Sequence, residues 1–288
     1  MLNIVFGFDD KFAKFCAAAI ASILSNHIIK QDDDRICFFL PDNISDKNKK
    51  RILDLKKIQD FEYTFYTVDM QALKGLPIGV WSIATYYKLL IPEIVSVDKI
   101  IALDCDIILK DDIKKLWDFD ISNYLAAAVR HSVGANEGTY YNAGIMLLNI
   151  KKLKEFNFAD KWRQYIKTQP QLICVDQDIF NHVLDGGGGR VLFLPIEYNV
   201  LNHNYDYMVK RNMTEKIVIL HYTPGKPLEL DCLPSLRKLW FKYSRMTYWK
   251  ENMRHFWIRR FIVNPIFFLK PKYWKQIKEM REKERNGE

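Results

Sequence analysis

Leu103-Asp104-Cys105-Asp106-Ile107-Ile108-Leu109 sets two carboxylates one residue apart inside a strongly apolar stretch. A buried carboxylate is costly unless it is paired, so this couple calls for cations, hydrogen bonds or an exposed strand end. A divalent cation is a natural compensator: hard oxygen ligands suit Mg²⁺ or Mn²⁺, which commonly keep coordination positions open for substrate phosphates. Two aspartates capping a turn would look the same. A second couple, Asp176-Gln177-Asp178, stands where a helical pattern carrying Ile179, Val183 and Leu184 begins, and there the helix macrodipole alone favours a carboxylate. Asn142-Ala143-Gly144 reads as a small-residue turn with an amide side chain ahead of the apolar run Ile145 to Leu148. His221 follows the apolar run Ile217 to Leu220 and leads into Tyr222-Thr223-Pro224-Gly225-Lys226-Pro227. A histidine at a strand end could complete a two-aspartate metal site, and Lys226, held by glycine and prolines, could meet a phosphate. Lys88, on a helical stretch before Pro92, is open either to a phosphate contact or to plain solvation.

Other chemistries are excluded. Cys16, Cys37, Cys105, Cys174 and Cys232 are widely spaced with no CxxC pair, which argues against a zinc site and for a reducing compartment. Cys105 lies between two carboxylates that disfavour its thiolate, so nucleophilic thiol chemistry is not expected. No serine elbow or Ser/His/Asp grouping is present. Gly186 to Gly189 lacks a following Gly-Lys-Ser/Thr and trails a helical pattern, so it reads as a turn rather than a phosphate cradle.

The elements that must position these groups follow from periodicity. Asn3 to Phe8 is a short apolar run suited to a buried strand. It feeds a helix in which Phe12, Phe15, Cys16, Ala19, Ile20, Ile23 and Leu24 recur on one face. Ile36 to Leu40 is a second strand, Ser45 offers an N-cap for the helix after it, and Phe61 to Val68 is a third strand. Trp81 to Leu90 is expected as a helix stopped by Pro92, and Lys99 to Leu103 as a strand ending at Asp104. Further strands are expected at Ile107 to Leu109, Leu125 to Val129, Ile145 to Leu148, Val191 to Leu194 and Ile217 to Leu220, with helices over Ala159 to Ile166 and Gln177 to Leu184. Alternating strands and helices indicate parallel-sheet α/β architecture, which gathers ligands at the carboxyl ends of its strands.

The chain of 288 residues is 49% hydrophobic with a net charge of +8, the composition of a globular protein rather than a disordered, collagen-like or coiled-coil one. Its N-terminus runs straight into a strand pattern without the features of a leader peptide and is expected to belong to the fold. No apolar stretch approaches the roughly 20 residues of a membrane-spanning helix. The charge is uneven: residues 237–288 hold 15 Lys+Arg against 5 Asp+Glu, while the preceding residues are slightly acidic. That tail also carries Trp240, Phe241, Tyr243, Tyr248, Trp249, Phe256, Trp257, Phe261, Phe267, Phe268, Tyr273 and Trp274, so a boundary is expected at 236/237. Basic residues interleaved with aromatics suit the surface of an anionic bilayer, while packing of the aromatics on the preceding domain is the alternative.

Taken in chain order, the motifs resemble glycosyltransferase family 8, the retaining GT-A enzymes that include bacterial lipopolysaccharide galactosyl- and glucosyltransferases and, more distantly, glycogenin. The resemblance runs from Asn3 to about Pro227. It rests on Val5-Phe6-Gly7-Phe8-Asp9-Asp10, Trp81 through Leu89, Leu103-Asp104-Cys105-Asp106, Tyr141-Asn142-Ala143-Gly144, Asp176 through Asn181, Leu194-Pro195 through Tyr198-Asn199, and His221-Tyr222 through Lys226-Pro227. It implies a Rossmann-like GT-A catalytic domain over 1–236 and a helical basic extension over 237–288. It also implies a metal-dependent, retaining hexosyltransferase that moves galactose or glucose from a UDP-sugar to a glycan or glycolipid acceptor such as lipopolysaccharide.

The family's roles fall on this chain as follows. Asp104, Asp106 and His221 would bind Mn²⁺ or Mg²⁺; Phe8, Asp9 and Lys11 would meet the nucleoside; Cys105, Gly225 and Lys226 would lie at the diphosphate. Asn142, Ala143, Gly144, Asp176 and Gln177 would line the sugar pocket, with Asp176 on a sugar hydroxyl and Gln177 facing the cationic sugar. Lys88 stands where the family usually has arginine, so a forked contact would become a point charge. His221 and Lys226 are one residue closer together than in the family pattern. The resemblance implies a cytoplasmic enzyme, peripheral on the inner face of the inner membrane, with no nucleic acid as partner. The alternative reading is a basic binding module for anionic membrane or nucleic acid built on a non-catalytic UDP-sugar fold, since aromatic platforms beside positive charge also hold single strands.

Overall fold

The computed structural model describes residues 1–131, 138–168, 171–184, 188–229, 232–263 and 278. In chain order the strands are β1 (Leu2–Phe6), β2 (Ile36–Pro41), β3 (Glu62–Tyr66), β4 (Lys99–Leu103), β5 (Ile107–Leu109), β6 (Ala126–Arg130), β7 (Tyr141–Asn149), β8 (Val191–Leu194), β9 (Val200–Leu201) and β10 (Ile219–His221). The helices are α1 (Ala13–Asn26), α2 (Asp46–Leu53), α3 (Tyr87–Ile94), α4 (Lys114–Trp117), α5 (Ile150–Glu155), α6 (Phe158–Lys167), α7 (Asp176–Leu184), α8 (Asn202–Lys210), α9 (Pro234–Ser244) and α10 (Met253–Val263). Seven strands form one sheet in the order β3-β2-β1-β4-β7-β6-β8, and β5-β10-β9 form a second, smaller one. This is the mixed α/β architecture expected of a GT-A fold.

The apolar runs became strands because sheet strands covered by helices on both faces need continuous hydrophobic sequence. In β2 every residue is buried, and β1 is open only at Asn3. The chain leaves β1 toward β2 and β3, then returns to lay β4 on the other side of β1, which opens a crevice at the carboxyl ends of β1 and β4. Gly7-Phe8 and Asp104 sit at that crevice. A Cβ on Gly7 would stand 3.1 Å from both Ala84 O and Tyr87 Cβ, so the absence of a side chain lets the end of β1 approach the start of α3.

Three expectations need correction. The large sheet is not wholly parallel: β7 runs antiparallel to both β4 and β6. Asn142-Ala143-Gly144 is not a turn before that strand but part of it, because the reversed β7 starts beside the end of β4, where Gly144 O accepts from Asp104 N at 2.7 Å. Pro92 does not stop its helix: α3 begins only at Tyr87, after a 3₁₀ turn at Ile83–Tyr86, and continues to Ile94. Within so short a helix the proline deletes a single ladder bond, and the packing of α3 on α5 and α6 holds the last turn.

The compositional break at 236/237 falls inside α9. Trp240, Phe241 and Tyr243 are buried in the same core as α1, and the Trp240 and Phe15 rings lie 5.4 Å apart. Sheet on one side and α9 on another explain why α1 is buried almost all round, from Ala13 to Leu24. Truncating Trp240 to Ala would cost about 3–5 kcal/mol. Phe256 is buried too, whereas Tyr248, Ile258, Phe261 and Ile262 stay exposed. The remaining tail, with Phe267, Phe268, Tyr273 and Trp274, and the Gly186–Gly187 part of the glycine run lie outside the described residues.

Candidate active site

Asp104-Cys105-Asp106 is the link between the two sheets. It leaves β4 beside β7 and enters β5, whose antiparallel partner β10 sets His221 opposite Ile107. Tyr222 N donates to Asp106 O at 2.8 Å and closes the corner. The link bends at Cys105 and Asp106, bringing the carboxylates of residues 104 and 106 together while Cys105 is buried in the core. One ligand atom from each of Asp104, Asp106 and His221 lies within 4.8 Å of the others. His221 Nε2 stands 3.6 Å from Asp104 Oδ2 and 3.6 Å from Asp106 Oδ1, beyond hydrogen-bond distance, and is buried with no partner among the described residues. A Cβ on Gly144 would run into His221 Cε1 and sit 2.8 Å from Asp104 Oδ2, so glycine keeps this cradle clear. Two carboxylates and a bare imidazole nitrogen form a donor set that fits Mn²⁺ or Mg²⁺.

Two lysines flank the cradle. Lys88 is buried, and its ammonium donates to Asp104 Oδ1 at 2.8 Å and to Ala143 O at 2.8 Å, with Asp176 Oδ2 at 3.1 Å. Lys88 thus hydrogen-bonds Asp104 and the Ala143 carbonyl and forms an ion pair with Asp176, bracing two carboxylates from different elements. Burial works against its charge, but Asp104 and Asp176 outweigh that and hold its pKa above the usual lysine range. Lys226 pairs with Asp106, which burial alone would push up but which Lys226 and His221 hold well below the carboxylate range. Burial pushes the Cys105 thiol well up, with neighbouring Cys16 adding to it, so Cys105 stays a thiol.

At the start of α7 the second aspartate couple divides. Asp176 faces Lys88 and accepts from Thr85 Oγ1 at 2.6 Å. Burial raises its pKa, with Lys88 opposing. Asp178 turns back, accepting from Ile173 N at 2.6 Å and Cys174 N at 2.7 Å and from the Tyr140 hydroxyl. Gln177 Oε1 accepts from Asn142 Nδ2 at 2.8 Å and Ala143 N at 3.1 Å, and Gln177 Nε2 donates to Tyr140 Oη at 3.1 Å.

Phe8, Lys88, Asp104, Cys105, Asp106, Asn142, Ala143, Gly144, Asp176, Gln177, His221 and Lys226 all line one cavity of about 250 Å³. Asp9, Lys11 and Gly225 are not among its lining residues. Asp9 instead binds Lys11 N and Phe12 N at 2.9 and 3.2 Å, and Ser82 Oγ at 2.7 Å, fixing the entry to α1 and the loop before α3. Gly225 takes a left-handed backbone with φ of 87°, and its carbonyl accepts from Asn202 Nδ2 at 2.7 Å. The cavity adds Trp81, Thr85, His131, Leu201, His203 and Thr223, which the sequence reading did not assign. Trp81 and Thr85 lie in a stretch it did single out; the isolated His131 and His203 carry no spacing signal.

Comparison with known proteins gives the family. The profile of Glycosyl transferase family 8 matches residues 3–227. The chain belongs to that family. It is 27% identical over 250 residues to the lipopolysaccharide 1,2-glucosyltransferase of Escherichia coli K12, covering 77% of this chain and 71% of the relative. It is 28% identical over 201 residues to general stress protein A of Bacillus subtilis, covering 64% of this chain and 69% of that one. The crystal structure of galactosyltransferase LgtC with donor and acceptor sugar analogues superimposes with a TM-score of 0.71 at 25% identity, covering 86% of this chain and 96% of that one. Among the described residues no helix is long and apolar enough to cross a membrane.

Proposed function

We propose that this family 8 glycosyltransferase is a retaining, metal-dependent hexosyltransferase that moves galactose or glucose from its UDP-sugar to a cell-surface glycan acceptor, as in lipopolysaccharide. The observation that carries the reading is the convergence of Asp104, Asp106 and His221 with Lys226, Asp176 and Gln177 on one cavity. When bound at Asp104, Asp106 and His221, the cation supplies positive charge to the diphosphate of the donor. Lys226 adds a second positive charge there, stabilising the leaving UDP more as the glycosidic bond breaks than before. Phe8 and Phe12 provide an apolar seat for the base, since both line the cavity beside Gly7. Asp176, braced by Lys88 and Thr85, offers a fixed acceptor to a sugar hydroxyl.

Retention by double displacement would need a free carboxylate against the anomeric carbon. Gln177 is a poor nucleophile, and its carbonyl already accepts two N–H bonds. Front-face displacement suits these groups better: the carbonyl end of the Gln177 dipole favours a cationic sugar, and the departing phosphate takes the acceptor's proton. Calorimetric titration with UDP, UDP-galactose and UDP-glucose, with and without Mn²⁺, tests the reading. Metal-dependent binding with slow hydrolysis of one sugar is expected, and absence of nucleotide binding under every condition would overturn it.

The acceptor reading extends to an anionic membrane on the cytoplasmic face of the inner membrane, met through α10, which exposes Ile258, Phe261 and Ile262 beside Arg254 and Arg259. Replacing Phe261 and Ile262 together by serine should release the protein from anionic vesicles, and undiminished retention would remove α10 from that role.

A further inference from the structure

Six side chains form one unbroken line of hydrogen bonds from Asp178 to His221. We propose that this line is a positioning device, with Asn199 as its key member, that holds Gln177 in one carboxamide orientation and His221 in the tautomer whose Nε2 lone pair faces the cation. It rests on the reading of Asp104, Asp106 and His221 as a cation site.

The direction of each bond follows from counting protons. The Asp178 carboxylate can only accept. Burial and then Asp178 push the Tyr140 phenol above its usual range, so Tyr140 keeps its proton and donates it to Asp178. Its oxygen is left to accept, so the end of Gln177 that faces it at 3.1 Å is the NH₂. The carbonyl end of Gln177 therefore meets Asn142 Nδ2 at 2.8 Å, and the backbone N–H of Ala143, at 3.1 Å, demands the same orientation independently. Asn142 Oδ1 is likewise set twice, by Gly144 N at 3.0 Å and by Asn199 Nδ2 at 2.8 Å. With its NH₂ so used, Asn199 turns a carbonyl toward His221 Nδ1 at 3.0 Å. A carbonyl can only accept, so Nδ1 carries a proton and Nε2 is the nitrogen left to face a cation.

Amide orientations and imidazole tautomers are ordinarily a choice among networks. Here the line is anchored by groups that cannot reverse: a carboxylate at one end and two backbone N–H groups within. Asn142, Gln177, Asn199 and His221 are all buried, Asn199 at 1% exposure, so no bulk water compensates a reversed amide. Nε2 is the one imidazole nitrogen of His221 without a partner among the described residues, and it lies between the two aspartates. Metal-bound histidines generally need such a partner on the other nitrogen.

Nitrogen-15 NMR of the full chain labelled at histidine and saturated with Mg²⁺ should show the His221 proton on Nδ1; a ring without a proton on Nδ1 overturns the proposal. Mn²⁺ binding, followed by electron paramagnetic resonance without nucleotide, gives a second readout. Asn199→Leu should weaken Mn²⁺ binding about 10- to 100-fold, whereas Asn199→Asp, which still accepts from Nδ1, should stay within about threefold of the parent. Unchanged affinity in the Leu variant, or an equal loss in both, overturns the proposal. Should Asn199→Leu not fold, the NMR spectrum and the Asp variant still decide. Asp104→Asn separates the two readings: if it leaves Mn²⁺ affinity intact, the cation site itself fails. If it abolishes binding while Asn199→Leu does nothing, only the positioning role fails.

Discussion

Asp104-Cys105-Asp106 and Asp176-Gln177-Asp178 are the same pattern in sequence and opposite devices in space. The first is a bent link between two strands, β4 and β5, in which both carboxylates meet His221 while the middle residue, Cys105, is buried in the core. The second opens α7, where residues two apart diverge by roughly 200° around the axis. Asp176 accordingly enters the cavity, Asp178 folds back on Ile173 N and Cys174 N, and the middle residue, Gln177, reaches the site. Two letters around a third mean a convergent pair on a link between strands and a split pair on a helix.

Variants at the two couples test that difference. Asp106→Asn should abolish Mn²⁺ binding and lower metal-dependent UDP-sugar hydrolysis by about three orders of magnitude, the several kcal/mol that a Lewis acid supplies. Normal Mn²⁺ affinity in that variant would break the first half of the comparison. Gln177→Ala should lower kcat about a hundredfold while UDP affinity, measured by calorimetry, hardly changes; an equally active variant would remove Gln177 from the chemistry. Gly144→Ala should lower both Mn²⁺ affinity and turnover by about tenfold or more, because the added carbon invades the cradle. Asp178→Ala should show itself mainly in thermal unfolding, as a loss of about 1–2 kcal/mol from the bonds to Ile173 and Cys174, and a loss of Mn²⁺ binding as complete as that of Asp106→Asn would erase the distinction. The smallest effect concerns Cys105: its thiol, raised by burial, should resist alkylation at pH 8 in the folded protein, as read by mass spectrometry. Rapid labelling would mean that residue 105 is a solvent-accessible thiolate.

Much of the fold was readable locally. The runs at residues 99–103, 107–109 and 191–194 became strands at the expected residues, and Ser45 caps α2, its hydroxyl accepting from Asn48 N at 3.4 Å. Apolar continuity and capping are decided by neighbours in the chain. The reversal of β7 was not readable, since Tyr141 to Asn149 is as apolar as a parallel strand would be and only its pairing with β4 and β6 sets its direction. Lys88 could be solvated or functional on sequence grounds; its partners come from residues 104, 143 and 176, which only the folded sheet assembles. Asp9, which the resemblance gives to the nucleoside, also bonds to the turn before α1 and to Ser82, contacts that only the fold brings together.

The tail shows the same limit of composition. Its charge and aromatic content set it apart from residue 237 onward, but α9 and Phe256 pack into the α1 core, because a long apolar helix face needs cover that the sheet alone does not supply.

By itself the sequence determined which residues are candidates for the chemistry and the family to which their order belongs, because residue type and spacing are local properties. The tertiary structure decided which carboxylates share a face, which lysine is a brace and which way each buried amide points. Those depend on strand direction and on proton donors brought together from distant parts of the chain, and no window of sequence contains them.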